Sequence, residues 1–225
     1  MIKTPRRQVH LDFHTSEHIP GVGREFSRAQ FQEALRAGHL DSITIFAKCH
    51  HSWSYYPTRI GAVHPTLGIA LMGEKIAACH EIGVRAPIYY TVGWSANDAE
   101  RHPQWCVRAV DGQIRTTRWD FAAAPDDPKP GVSWKFLCPS GEYLDLMVAQ
   151  TREICERYPV DGLIYDITHG PPCLLERCRA GMKAQGLALA AGPAVPAHHV
   201  HNWKPVMDAS RDVIRHPHPG APVFL

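Results

Sequence analysis

An α/β fold on a parallel sheet is what the sequence predicts, and three observations predict it. β-rich apolar runs alternate with helix-forming segments, stop signals separate them, and the run SITIFAK is apolar on both faces, as a buried parallel strand is. Residues 9–14 (VHLDFH) alternate apolar and polar side chains and read as the first strand. Residues 26–40 read as a helix with Ser27 as N-cap and an apolar face of Phe31, Leu35 and Leu40. SITIFAK, residues 42–48, is the second strand. Residues 67–82 are helical by their Ala, Leu and Met content and stop at Gly83, a good residue for a left-handed helix end. Residues 85–92 (RAPIYYTV) form the third strand. Between residues 93 and 139, Trp94, Trp105, Trp119 and Trp134 stand among Pro, Gly and Asp without a sustained period. That stretch reads as a long functional loop, because disordered segments are poor in aromatics. Residues 143–158 are the clearest helix and end at Pro159. Residues 160–167 (VDGLIYDI) make the fourth strand. The tail reads as a helix over 176–186, a loop over 192–196, a helix over 202–214 and the start of a fifth strand over 221–225.

The four strands centre near Asp12, Ile45, Tyr89 and Ile164 with a helix between each consecutive pair, which implies right-handed parallel crossovers. An open doubly wound sheet would carry GxGxxG or GxxxxGK[ST] after its first strand, and neither is there. The expectation is a partial (β/α)8 TIM barrel of four to five βα units, one domain over residues 1–225. Only 58 residues follow Ile167, against roughly 30 per unit, so eight strands do not fit. The sequence therefore predicts a truncated barrel that belongs to a longer protein or is closed by other chains, a homo-oligomer among them.

Composition narrows the function classes. With 44% apolar and 20% charged residues the chain has material for a core. A net charge of +2 with scattered Lys and Arg gives no footprint for nucleic acid. No run approaches ~18 apolar residues and no signal-peptide core follows the first basic residues, which predicts a cytoplasmic chain without a membrane partner. Seven cysteines in no framework spacing argue against a disulfide scaffold. Cys173 and Cys178 are the one close pair, and a zinc site would need two more ligands that the sequence does not assign. They read as free thiols, with no metal and no cofactor expected.

In a parallel barrel, chemistry gathers at the carboxyl ends of the strands. Asp12 and His14 fall there after the first strand; Cys49, His50, His51, Trp53, Tyr55 and Tyr56 after the second; Trp94 after the third; Asp166 and His169 after the fourth. A carboxylate ringed by imidazoles and flat aromatic faces suits a sugar, whose hydroxyls need hydrogen bonds and whose C–H face needs apolar cover. The bland reading, a capping or core hydrogen-bonder, is the default for His10, His18, His39 and His64. Asp161, at the amino end of its strand, reads as a cap. Of the adjacent His50 and His51, one points inward whatever the local geometry.

At FAKCHHSWSYYPTRIG, residues 46–61, the chain resembles the alpha-L-fucosidase-like glycoside hydrolases, whose second strand leads into an Ala-Lys-His-His stretch that holds the sugar. VDGLIYDI is similar to their fourth-strand end, and VHLDFHTSE and PIYYTVGW extend the resemblance to long bacterial glycosidases that carry a beta-galactosidase-type trimerisation domain. The resemblance implies retaining hydrolysis of a glycoside or oligosaccharide, with Asp166 as nucleophile and His50 and His51 as sugar ligands. His14, Trp94, Asp12 and Tyr56 would line the pocket. Cys49 interrupts the family's usual spacing. Asp12, Glu17 and Glu176 are the chain's candidates for the acid/base. Two other classes stay open on the residues alone. His10, Asp12 and His14 alternate along the first strand and could converge on a metal, as in amidohydrolases. A carbohydrate-binding relic without turnover would share the whole pattern.

Overall fold

The computed structural model of the protein describes residues 6–109, 112–116, 134–186, 194–215 and 217–224. Trp119 and residues 192–193 of the expected 192–196 loop lie outside the described residues, while residues 194–196 are helical rather than loop. Strand β1 (Gln8–Val9) runs parallel to β2 (Ser42–Ile43), and only Thr44 separates β2 from β3 (Ile45–Lys48). Beside β3 lie, in order, β6 (Ile88–Thr91), β7 (Leu163–Asp166) and β8 (Val223–Phe224), all parallel. On its other side β3 turns back into β4 (Trp53–Ser54), which pairs with β5 (Ala62–Val63). The helices are α1 (Arg28–Ala37), α2 (Leu71–Glu81), α3 (Ala96–Arg101), α4 (Glu142–Arg157), α5 (Glu176–Ala184) and α6 (Ala194–Arg215). Parallel strands in chain order, with helices in the crossovers, make this a mixed α/β fold and a partial TIM-like barrel.

Alternation along the strands divides the core into two layers. Ile45, Ala47, Ile88, Tyr90, Leu163 and Tyr165 face the helices and pack on Met72, Ile76, Met147 and Ile154. Phe46, Tyr89 and Ile164 face the other way, stand side by side in register, and pack on Tyr55 and Leu71. Asp166 follows Ile164 by two residues, so the same parity carries its carboxyl to the lumen side at the strand's end.

Local signals explain the helix boundaries. Ser27 Oγ accepts from Gln30 N at 3.4 Å, capping α1. Gly83 takes φ +73° just beyond α2, and α4 ends at Tyr158, before Pro159. Three expectations need correction. The first strand is only two residues long: its pairing ends where Val9 O accepts from Thr44 N at 3.1 Å, and further on Tyr55 Oη, not a neighbouring strand, bonds Phe13 O and Thr15 N at 2.9 and 3.1 Å. The loop over 93–139 contains α3, a 3-10 turn at Pro103–Trp105 and isolated bridges that pair Trp94 with Phe136 and Cys106 with Leu137. Finally, α6 begins eight residues before the expected Asn202 and runs through Pro205. None of the described helices is long and apolar enough to cross a membrane.

Candidate active site

Asp166 is fixed at both oxygens. Its Oδ2 accepts from Tyr89 Oη at 2.6 Å, and its Oδ1 accepts from the backbone N of Ile167 at 2.8 Å. Ile167 itself has φ +58°, a conformation a β-branched residue adopts only under constraint, at a cost of roughly 1–3 kcal/mol. The constraint is visible next door. A Cβ on Gly93 would stand 2.2 Å from Ile167 O, so only glycine permits this approach of the two loops. The strained turn after β7 is thus clamped against the end of β6, and the carboxylate is held with it.

His50 occupies the tip of the β3–β4 hairpin, whose four-residue connection is closed by Ser52 at φ +77°. Ser52 N donates to Cys49 O at 2.9 Å. The turn sends His50 into the lumen, where it is 8% exposed. Thr91 Oγ1 donates its one proton to Trp94 O at 2.8 Å, so the 2.8 Å contact from His50 Nδ1 has the imidazole as donor. Burial, aided by His14, pushes His50 down to about 3 against the opposing pull of Asp166, so the ring is neutral. Its Nε2 is therefore a lone pair, 3.7 Å from Asp166 Oδ2 and 3.5 Å from Tyr89 Oη. The Tyr89 proton is committed to Asp166. Two acceptors, a neutral imidazole nitrogen and a carboxylate oxygen, consequently face each other, with the Tyr89 hydroxyl beside both.

Aromatic rings wall this pair. His14 stacks on His50 with centroids 4.0 Å apart, and its Nε2 lies 3.6 Å from Asp12 Oδ1. Burial lowers the His14 pKa while Asp12 opposes the shift. Trp94 and Trp134 stack at 5.5 Å, and both present edges to His50, at 5.1 and 5.2 Å. His51 is half-buried against Trp134 at 5.5 Å. Its pKa too is lowered by burial, with Glu17 opposing. The structure thus brings Asp166, His50, His14 and Trp94 together, with His51 and Asp12 at the margin.

Tyr56 is not among them. It is wholly buried and donates to Glu153 Oε2 at 3.1 Å, on the helix side of the sheet. Of the acid/base candidates, Glu17 accepts from Trp53 Nε1 at 3.4 Å and lies beside His18, while Glu176 opens α5. His64 is a core hydrogen-bonder to Ser16 O at 3.0 Å, and Asp161 accepts from Ala86 N at 2.7 Å and from His80. Sequence reasoning missed Tyr89 and Thr91, and left Trp134 as one of the long loop's tryptophans without a place in the site. The first two share a strand face with Phe46 and Asp166, so strand parity was the available signal. Also missed was the buried pair Lys48 Nζ–Asp98 Oδ2 at 2.7 Å, which anchors α3 under the hairpin with help from Ser95 Oγ and Ser52 Oγ. Burial works against the Lys48 charge, yet Asp98 prevails and raises its pKa.

The amidohydrolase alternative places His10, Asp12 and His14 around a metal. Asp12 Oδ1 does reach His10 Nε2 at 3.2 Å, but Asp12 is 77% exposed and the segment is not a strand. Among the described residues the one group of His, Cys, Asp and Glu compact enough for a metal is a cysteine trio elsewhere.

A carboxylate and imidazoles at the carboxyl ends of parallel strands, under tryptophan walls, define a TIM-type glycosidase-like protein. Family comparison agrees: residues 27–167 match the model of Hypothetical glycosyl hydrolase 6, and the chain belongs to that family. Among solved structures, alpha-L-fucosidase isoenzyme 2 from Paenibacillus thiaminolyticus is similar at 40% identity and TM-score 0.84, covering 98% of this chain and 32% of that protein. The chain therefore spans about a third of that relative's length. A hypothetical protein from Ruminiclostridium thermocellum shares the fold at 9% identity and TM-score 0.56, over 96% of this chain and 95% of that one. No match was found among curated proteins.

Proposed function

We propose that the chain carries the sugar-holding part of a retaining alpha-L-fucosidase-like site, with Asp166 as nucleophile. The observation that supports it best is the pair of facing acceptors. His50 Nε2 and Asp166 Oδ2, 3.7 Å apart, call for a ligand rich in hydroxyl donors. His14 and His51 offer further hydrogen-bonding nitrogens, Trp94 and Trp134 cover the sugar's C–H face, and Asp12 lies at the margin. In the reaction the Asp166 carboxylate attacks the anomeric carbon to form a glycosyl-enzyme. A second carboxyl, about 5–5.5 Å away in retaining enzymes, protonates the leaving oxygen and later activates water. Tyr89 and the Ile167 N–H hold the nucleophile aimed. The likeness to the Paenibacillus fucosidase supports fucose as the sugar.

The test is hydrolysis of a nitrophenyl alpha-L-fucoside by Asp166→Asn beside the wild type. The proposal expects a loss of at least roughly a thousandfold. Retained activity removes Asp166 as nucleophile.

A further inference from the structure

Cys138, Cys173 and Cys178 come from three separate segments: the approach to α4, the loop after β7, and the first turn of α5. All three are buried, and their sulfurs lie within 4.8 Å of one another, with Cys138 Sγ and Cys178 Sγ 3.3 Å apart. Cys138 is 40 residues from Cys178, so the fold supplies a third thiol that sequence spacing did not assign. We propose that this trio is a structural site for a zinc-class soft divalent cation, outside the sugar site. Sulfurs about 2.3 Å from a tetrahedral metal stand about 3.8 Å apart, so the trio closes around an ion with sub-ångström shifts. Ser140 Oγ, 3.0 Å from Cys138 Sγ and 3.9 Å from Cys178 Sγ, is the side-chain oxygen at hand for the fourth position. Three thiolates and a divalent cation leave one negative charge. Arg177, whose Nε donates to Ser140 Oγ at 2.7 Å, sits where it offsets that charge.

The placement gives the ion a task. Phe136, two residues before Cys138, packs with the trio and with Trp94, and its neighbour Trp134 walls the candidate sugar site. A metal at the trio would tie the strap over 134–138 to the loop that leaves Asp166.

The experiment is metal analysis of the reduced chain, purified from zinc-supplemented culture, with Cys173→Ser and the distant Cys79→Ala as variants. The expected result is about one zinc per chain in the wild type and in Cys79→Ala, with under a tenth of that in Cys173→Ser. A chelator should lower the wild-type melting temperature and leave that of Cys173→Ser unchanged. Cobalt added to the metal-free wild type should produce thiolate-to-metal charge-transfer absorption, a readout that stands even if the variant does not fold. A wild type without stoichiometric zinc or cobalt absorption overturns the proposal. So does an intact mass two daltons low when peptide mapping places the disulfide between two of the three cysteines.

Discussion

Keeping the buried His50 ring neutral makes the fold less stable in acid. Its pKa is about 3 in the folded chain against 6.5 unfolded, with burial as the main cause. Above pH 6.5 both states are neutral at this residue and it contributes no pH dependence. Below 6.5 the unfolded chain takes up a proton that the native chain refuses, so stability falls as pH falls, until both states are protonated below about 3. At about 1.36 kcal/mol per pKa unit, the loss from His50 is about 2 kcal/mol at pH 5 and about 3 kcal/mol at pH 4. His50→Gln keeps an amide to bond Thr91 but cannot take up the proton. Urea unfolding of both proteins at pH 7, 6 and 5 should therefore show the wild type losing about 2 kcal/mol more than the variant across that range. Parallel stability curves, or an imidazole NMR signal of His50 that titrates near 6.5, would refute the reasoning and with it the assignment of Nε2 as an acceptor.

Three further outcomes follow from the same geometry. Tyr89→Phe removes the 2.6 Å hydrogen bond to Asp166, and kcat/KM for an alpha-L-fucoside should fall by roughly 10- to 100-fold, with the melting temperature nearly unchanged. Asp98→Ala strands the buried Lys48 ammonium; calorimetry should register a loss of about 3–5 kcal/mol, seen as a drop of about 6–20 °C, with Lys48→Met in the same chain recovering most of it. Gly93→Ala drives a methyl into Ile167 O, so chemical denaturation should show a cost of about 1–3 kcal/mol or more and L-fucose binding should weaken, because the clamp behind Asp166 opens.

Much of this was legible in the residues. The apolar run IFAK, the YYT that follows Pro87 and Ile88, and the Leu-Ile-Tyr-Asp of β7 announced three adjacent parallel strands, and Ser27, Gly83 and Pro159 marked helix boundaries through their own conformational preferences. The position of Asp166 was legible for the same reason, since the end of a strand locates its last side chain, and His50 follows the end of β3 by two residues. The failures share a physical cause in contacts far along the chain. Tyr55 takes up the backbone of Phe13 from 42 residues away, and Tyr56 turns to a glutamate on α4, 97 residues on. Cys138 joins its trio only because two crossovers pack together. Periodicity reads the local chain, and these features are set by its folding back on itself.

Trapping the glycosyl-enzyme tests the central claim most directly. Incubation with 2-fluoro-fucosyl fluoride, followed by proteolysis and peptide mass analysis, should place a single fluorofucosyl group on the peptide that contains Asp166, attached to that carboxylate. A label on any other carboxylate, or turnover of fucosides by a chain that never takes up the label, would contradict the account.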